Sequence, residues 1–178
     1  MQGWETRIRT LANELIDEVI DKGECEFDEA FGRPLPVLVF LDLMGLPRNM
    51  CDTFVEWAIA LLHSNDRAIM GETMAKITAY LQGAIAEKES EPLTDGLISQ
   101  IVHASIDGRP ISPKEKFGFV VFLFIAGLDT VFATLNNIWL WLARNPDRVR
   151  EMIADPDNIN AQVEELLRAF SVTFSGRT

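Results

Sequence analysis

Residues 125–130, Ile-Ala-Gly-Leu-Asp-Thr, place three chemically unusual residues in the middle of a long apolar stretch. Gly127 costs a helix about 1 kcal/mol relative to alanine, and an ionised Asp129 is costly in apolar surroundings unless it has a partner. Because residues three and four apart share a helix face, small residues form a stripe beside the hydroxyl of Thr130. This pattern predicts a shallow notch in a helix, with a hydroxyl at its edge and a carboxylate next to it.

A close crossing of two helices explains the same stripe without any chemistry. Small residues let two backbones approach, and Asp129 would then face water. On spacing alone this second interpretation is the favoured one, because isolated short motifs often match by chance. In either case the hydroxyl of Thr130 can bond back to the carbonyl of Ala126, four residues earlier, and bend the helix.

A second pair of chemically interesting residues lies near the end of the chain. Glu165 and Arg168 are three residues apart on an expected helix and can form an ion pair. A solvated surface pair of small energetic value is the default interpretation of such a spacing. The apolar neighbours Val163, Leu166 and Leu167 leave partial burial open, and only the planar fork of arginine could then satisfy the carboxylate and other acceptors together.

Helical periodicity dominates the elements that must position these residues. Helices are expected over about residues 4–20, 49–62, 72–89, 94–106, 113–144, 146–154 and 159–170, with a short apolar segment at 37–44. No strand is expected before residue 171, and residues 172–174 are typical of the start of one. The fold class is therefore mainly α, with the start of a strand at the C-terminus.

The helix that carries the notch has the strongest start signal in the chain. Ser112 and Glu115 form a capping box around Pro113, and no breaker follows until Asn145-Pro146. The helix is apolar nearly all round over residues 117–135, which predicts burial on every side. Its longest apolar run, residues 117–128, is shorter than the ~20 residues that span a bilayer. We therefore expect a core helix and no membrane segment.

The composition excludes several classes of protein. The 178 residues carry 16 Lys and Arg against 27 Asp and Glu, a net charge of −11, which disfavours nucleic acid as a partner. The two cysteines, Cys25 and Cys51, are too few for a disulfide scaffold, and no residue cluster has the spacing of a metal site. The first residues lack the features of a signal peptide. A soluble protein of the cytoplasm is expected.

Taken together, the motifs resemble those of the cytochromes P-450, the haem-thiolate monooxygenases. Residues 126–130 resemble the oxygen-activation motif of the long central helix of that family. Glu165 and Arg168 match its Glu-x-x-Arg helix, and Gly176-Arg177 follows where the family begins a strand into the haem pocket. Asn145-Pro146-Asp147 is typical of the soluble bacterial class, in the branch that includes camphor hydroxylase.

The resemblance implies that residues 1–178 are a partial cytochrome P-450 domain, the central helical portion of the fold. The family's N-terminal region and its loop of the form Phe-x-x-Gly-x-x-x-Cys-x-Gly, which supplies the axial thiolate, are absent from the sequence. Neither Cys25 nor Cys51 matches that loop, so no metal ligand is expected in this chain. The isolated chain is therefore expected to be inactive.

The resemblance also implies roles for single residues around the notch. Thr130 would hold a network of water and bound oxygen, and Asp129 would relay protons to it. Ala126 and Gly127 would leave room for dioxygen. The substrate side of the pocket would be lined by Phe122, Ile125 and Thr173.

On the opposite side of the haem, the resemblance implies structural and anchoring roles. Glu165 and Arg168 would brace the thiolate side, and Arg177 would bond a haem propionate. The cofactor would be haem b, iron protoporphyrin IX, and it would carry out the oxidation itself.

The function implied is hydroxylation of a small apolar substrate, using dioxygen and two electrons from a ferredoxin-like partner. The alternative is a non-catalytic α-helical binding or interaction protein, or a decayed fragment, in which the notch is packing and the Glu165–Arg168 pair lies at the surface. In a partial cytochrome P-450, one side of the long helix would lack haem and partner helices, and the apolar surface exposed there predicts self-association.

Overall fold

The computed structural model describes residues 2–173, and these are mainly α-helical as predicted. Two short strands, Ser105–Ile106 (β1) and Arg109–Pro110 (β2), form an antiparallel hairpin. The helices are Gln2–Ile20 (α1), Pro34–Met44 (α2), Cys51–Leu62 (α3), Arg67–Ser90 (α4), Leu97–His103 (α5), Pro113–Arg144 (α6), Pro146–Ala154 (α7) and Ile159–Ala169 (α8).

The hairpin corrects the prediction that no strand precedes residue 171. Its turn consists of Asp107 and Gly108, whose φ angles of 51° and 79° are both positive. An Asp-Gly pair in this conformation is typical of the tight turn that matches the twist of two strands. The Asp-Gly pair is therefore a local signal for a hairpin as well as a break between helices. Residues 171–173 lie in no helix or strand, and residue 174 of the predicted strand lies outside the described residues.

Two helix starts also differ from the prediction. Helix α4 begins at Arg67 rather than near residue 72, because the carboxylate of Asp66 accepts a hydrogen bond from the backbone N–H of Ala68 at 2.8 Å. Helix α5 begins at Leu97 rather than at Thr94, whose backbone N–H donates instead to the Ser99 hydroxyl at 2.9 Å. In both cases local side-chain bonds decide where the helix starts.

The chain divides into two compact units, and the boundary lies within α6, between Asp129 and Thr130. In the first unit α6 contributes one buried stripe, Val120, Phe124 and Leu128, at a spacing of four residues. Phe124 packs edge-on against Phe54 and Phe40, with ring centroids 5.5 and 6.2 Å away. These contacts join α6 to α2 and α3 in the main core.

Helix α2 is held at its C-terminal end by a close backbone approach. Gly45 ends the helix with φ of 74°, and the backbone N–H of Leu46 donates to the carbonyl of Leu41 at 2.8 Å. A Cβ atom at Gly96 would lie 2.9 Å from the Cα of Gly45. Glycine at both positions therefore lets the end of α2 meet the start of α5.

The prediction that α6 is buried on every side is wrong for the described residues. Only 17% of its most apolar stretch is buried, and the side of the helix that carries Phe122 is exposed. Around one side of the helix, then, apolar side chains stay exposed to solvent within residues 2–173. By length and composition alone α6 could also cross a membrane, and it is the one helix in the described part of the chain for which this holds.

The second unit contains the rest of α6 together with α7 and α8. Leu142 of α6 and Leu166 of α8 are its buried residues. The rings of Trp141 and Phe170 are in contact, with centroids 5.9 Å apart. These contacts hold the C-terminal end of α6 against α8 and against the residue that directly follows α8.

Candidate functional site

Thr130 and Thr173, two of the predicted site residues, line the same groove in the second unit. The groove has a volume of about 710 Å³, and most of its lining is apolar. Thr130 comes from α6, whereas Thr173 comes from the segment that follows α8. A groove of this size and character is typical of sites for small apolar molecules. Its other lining residues are Val131, Thr134, Leu135, Ile138, Trp139, Leu142, Met152, Ile159, Val163, Leu166, Leu167, Ser171 and Val172.

A threonine side chain of α6 forms a hydrogen bond with the backbone of its own helix. Thr134 donates a hydrogen bond from its hydroxyl to the carbonyl of Thr130 at 2.7 Å. Such a bond to the fourth preceding residue competes with the helical ladder and is associated with bending. The same bond from Thr130 to Ala126 stays a prediction.

Gly127 marks a close crossing of α6 and α2. A Cβ atom at this position would lie 3.3 Å from the Phe40 ring, a buried side chain of the core. The packing interpretation of the small-residue stripe is therefore confirmed at Gly127. The predicted room for dioxygen beside Ala126 and Gly127 stays a prediction.

The packing interpretation predicts that Asp129 faces water, whereas in the structure its carboxylate also has a side-chain partner. Its carboxylate Oδ1 lies 2.7 Å from Nε2 of His63, and its side chain is 33% exposed. His63 is not among the site residues predicted from the sequence. One signal pointed to such a partner: Asp129 is the only charged residue between Lys116 and Arg144, so an apolar helix surface cannot supply its counter-group.

Phe122 and Ile125, predicted to line the substrate side, lie on the exposed side of α6. The side chain of Phe122 is 67% exposed and that of Ile125 is 38% exposed. Both are therefore accessible to a ligand, and their contact with substrate stays a prediction.

Glu165 and Arg168 form a bidentate ion pair on α8. The Nε and Nη2 atoms of Arg168 donate to the two carboxylate oxygens of Glu165 at 2.7 and 2.6 Å. These hydrogen bonds hold the pKa of Glu165 below its usual value and raise the pKa of Arg168. Both side chains are well exposed, so the surface interpretation holds for the described residues. Their bracing role stays a prediction, and Arg177 lies outside the described residues.

The two cysteines do not have the environment of an iron ligand. Cys51 is half-buried against the core, and burial raises the pKa of its thiol to about 11, so it stays protonated at neutral pH. Cys25 is exposed, in the segment that follows α1. Within residues 2–173 no group of three or more His, Cys, Asp and Glu residues could hold a metal ion.

The chain is similar to bacterial cytochromes P-450 over nearly its whole length, although no model of a protein family matches it. It is 29% identical over 176 residues to cytochrome P-450 107B1 of Saccharopolyspora erythraea, covering 99% of the chain and 43% of the relative. It is 30% identical over 171 residues to the steroid C26-monooxygenase of Mycobacterium tuberculosis, covering 92% and 46%. The structure of the bacillaene polyketide synthase cytochrome P-450 PksS of Bacillus subtilis matches with a TM-score of 0.86 at 28% identity, covering 94% and 43%.

The chain thus spans less than half the length of the relatives that it matches. The structural match includes most of α6, because the 32 residues of this helix far exceed the uncovered 6% of the chain. The helical fold and the relatives both indicate that the chain corresponds to a fragment of a bacterial cytochrome P-450.

Proposed function

We propose that the protein carrying this chain is a haem-dependent monooxygenase that hydroxylates a small apolar organic substrate with dioxygen and two electrons. The observation that supports this most strongly is the apolar groove in which Thr130 and Thr173 meet. The motif resemblance implies that Thr130 holds the network of water and bound oxygen and that Thr173 lines the substrate side. The relatives named above include a monooxygenase, so the comparisons do not favour the non-catalytic alternative.

The described residues fit a haem group in part. The exposed apolar side of α6 offers a wall of the kind that a flat macrocycle requires, and Phe122 and Ile125 lie on it. Cys51 is half-buried against the core, and neither Cys51 nor Cys25 matches the loop that supplies the thiolate. The proposal therefore requires a cysteine that this sequence does not contain. When bound, haem b would supply the oxidising chemistry.

The residues of this chain would supply proton control and a dry site. The Thr130 hydroxyl can both donate and accept, so it can hold a water molecule at the edge of the groove. By the motif resemblance, the carboxylate of Asp129, the preceding residue in the sequence, would accept and release protons as the relay. The apolar lining keeps bulk water away, which strengthens both interactions.

The electron donor, the cofactor form and the location of the protein are part of the same proposal. A ferredoxin-like protein would supply the two electrons, and the cytoplasm is the expected compartment. The overall resemblance to bacterial cytochromes P-450 supports both assignments. Burial of α6 inside the complete fold, rather than in a membrane, follows from its place in that resemblance.

Substrate binding to the haem-loaded protein tests the groove. Thr173→Phe fills part of the groove and should weaken the binding of small apolar compounds by about tenfold, equivalent to 1.4 kcal/mol. Binding is measured by the change in haem absorption during titration. Thr94→Phe, on the exposed segment before α5, is the matched control and should leave binding unchanged. Equal binding by both variants would contradict the assignment of the groove.

A further inference from the structure

The hydrogen bond between His63 and Asp129 joins two elements that are distant in sequence. Nε2 of His63 lies 2.7 Å from Oδ1 of Asp129, and 66 residues separate the two. A carboxylate without its proton can only accept, so Nε2 of His63 is the donor when Asp129 is ionised. Such a bond from an imidazole N–H to a carboxylate is charge-assisted, the stronger kind of side-chain hydrogen bond.

The histidine is itself anchored by the backbone at the end of α3. The backbone N–H of His63 donates to the carbonyl of Ile59 at 2.9 Å and closes the last helical turn. The next residues are held as well, because the backbone N–H of Asp66 donates to the Ser64 hydroxyl at 3.1 Å. Asp66 then caps α4. The imidazole therefore projects from a short connection between α3 and α4 whose backbone is well defined.

The carboxylate has few other restraints on its own helix. No charged residue other than Asp129 lies between Lys116 and Arg144. The preceding residue, Leu128, is buried in the core, and this burial fixes the rotation of α6 at this point. A free aspartate side chain samples several staggered rotamers. The bond to His63 selects one of them while Oδ2 keeps its capacity to accept from water.

We propose that His63 is a positioning residue, which holds the carboxylate of Asp129 in the orientation needed for proton transfer. The inference rests on the proposed function, in which Asp129 is the proton relay. It adds that a residue of the connection between α3 and α4, residues 63–66, holds that relay in place.

The pairing itself can be tested in the chain without any cofactor. The sequence has two histidines, and His103 is an internal reference because its Nδ1 bonds to the carbonyl of Ser99 at 2.8 Å. The ring nitrogens of both are followed by NMR after labelling with ¹⁵N-histidine. Asp129→Asn should shift the ring signals of His63 and leave those of His103 in place. Unchanged signals of His63 would overturn the proposal.

The positioning role is tested by the coupling of oxygen use to product in the haem-loaded protein. His63→Leu removes the donor and should lower kcat and raise the yield of peroxide, with KM unchanged, in the same direction as Asp129→Asn. His63→Gln retains an N–H donor at the same reach and should restore most of the coupling. His103→Leu is the matched control and should behave as the unsubstituted protein.

The outcomes separate this inference from the proposed function. If Asp129→Asn uncouples the reaction and His63→Leu does not, the positioning role is wrong while the monooxygenase function stands. If the unsubstituted haem-loaded protein oxidises no apolar compound, the function fails and the relay role of the pair fails with it. The NMR measurement still decides in that case whether the two side chains are paired.

Discussion

At the scale of single residues, the Thr130 hydroxyl carries the chemistry of the proposed site. Thr130→Ala removes a group that both donates to and accepts from water, so protons should reach the reaction less efficiently. We expect the haem-loaded variant to consume oxygen at a similar rate and to release about tenfold less product per oxygen, with more peroxide. Oxygen uptake, product and peroxide are measured together.

Thr130→Ser is the control, because it keeps the hydroxyl and loses only a methyl group. It should retain most of the coupling. Unchanged coupling in Thr130→Ala would contradict the role given to this residue.

Asp42 provides a prediction about stability and pH. Its carboxylate, 5% exposed, accepts hydrogen bonds from Arg7 at 2.9 Å and from two nitrogens of Arg48 at 2.8 Å. Hydrogen bonding to Arg48, followed by the charges of both arginines, lowers the pKa of Asp42. A lowered pKa stabilises the folded state above the unfolded value of about 3.9, and this contribution is lost as the pH falls through the folded value.

Asp42→Asn should therefore lower the free energy of unfolding by about 2 kcal/mol at neutral pH. The arginines are half exposed and keep some hydration, which limits the loss. The difference from the unsubstituted chain should shrink as the pH falls below about 4. Urea unfolding at several pH values measures it. The control Asp17→Asn, on the exposed face of α1, should have little effect, and a loss that does not depend on pH would contradict this account.

At the scale of elements, the crossing of α2 and α6 depends on Gly127. A side chain there would meet the buried ring of Phe40, and overpacking of this kind costs about 1–3 kcal/mol. Gly127→Val should therefore lower the free energy of unfolding by that amount in urea titrations.

The matched control is Gly118→Val on the same helix, because a Cβ atom at Gly118 meets nothing within 4 Å. Its effect should stay within about 0.5 kcal/mol. Similar losses at both positions would show that helix propensity, and not the crossing, decides the stability.

The start of α6 shows what local sequence can predict about an element. The capping box expected from Ser112 and Glu115 is present, with the backbone N–H of Ser112 donating to the Glu115 carboxylate at 2.9 Å. Arg109 adds two further hydrogen bonds to this carboxylate, at 2.8 and 2.6 Å. Bonds within a few residues follow rules of spacing, which is why most helices, including the bounds of α6, were predictable.

Contacts between residues that are distant in sequence follow no spacing rule, so they were not predictable. His63 reaches Asp129 across 66 residues, and no spacing pattern connects them. The exposure of Phe122 could not be predicted either, because an apolar pattern does not show whether the chain itself covers every side of a helix. The motif singles out Asp129 and Thr130, since their residue types are unusual for an apolar helix, and their roles stay predictions.

At the scale of the whole molecule, the uncovered side of α6 predicts self-association of the 178-residue chain. Contiguous exposed apolar surface promotes contacts between copies. Sedimentation should show oligomers that increase with concentration, and Phe122→Ser should reduce them. Leu93→Ser removes a side chain of similar exposure, 63% against 67%, away from α6, and should leave association unchanged. A monomer at all concentrations, or equal effects of both substitutions, would contradict this prediction.

The central claim is that this chain forms part of a haem-thiolate monooxygenase. The most direct test is the absorption spectrum of the reduced protein with carbon monoxide, measured on the haem-loaded product of the complete gene. The account predicts a Soret band shifted in the manner of thiolate ligation for that product. It predicts no such band for residues 1–178 reconstituted with haem, because neither Cys25 nor Cys51 matches the ligand loop. A complete product that binds no haem, or one whose Soret band lacks the thiolate shift, would contradict the account.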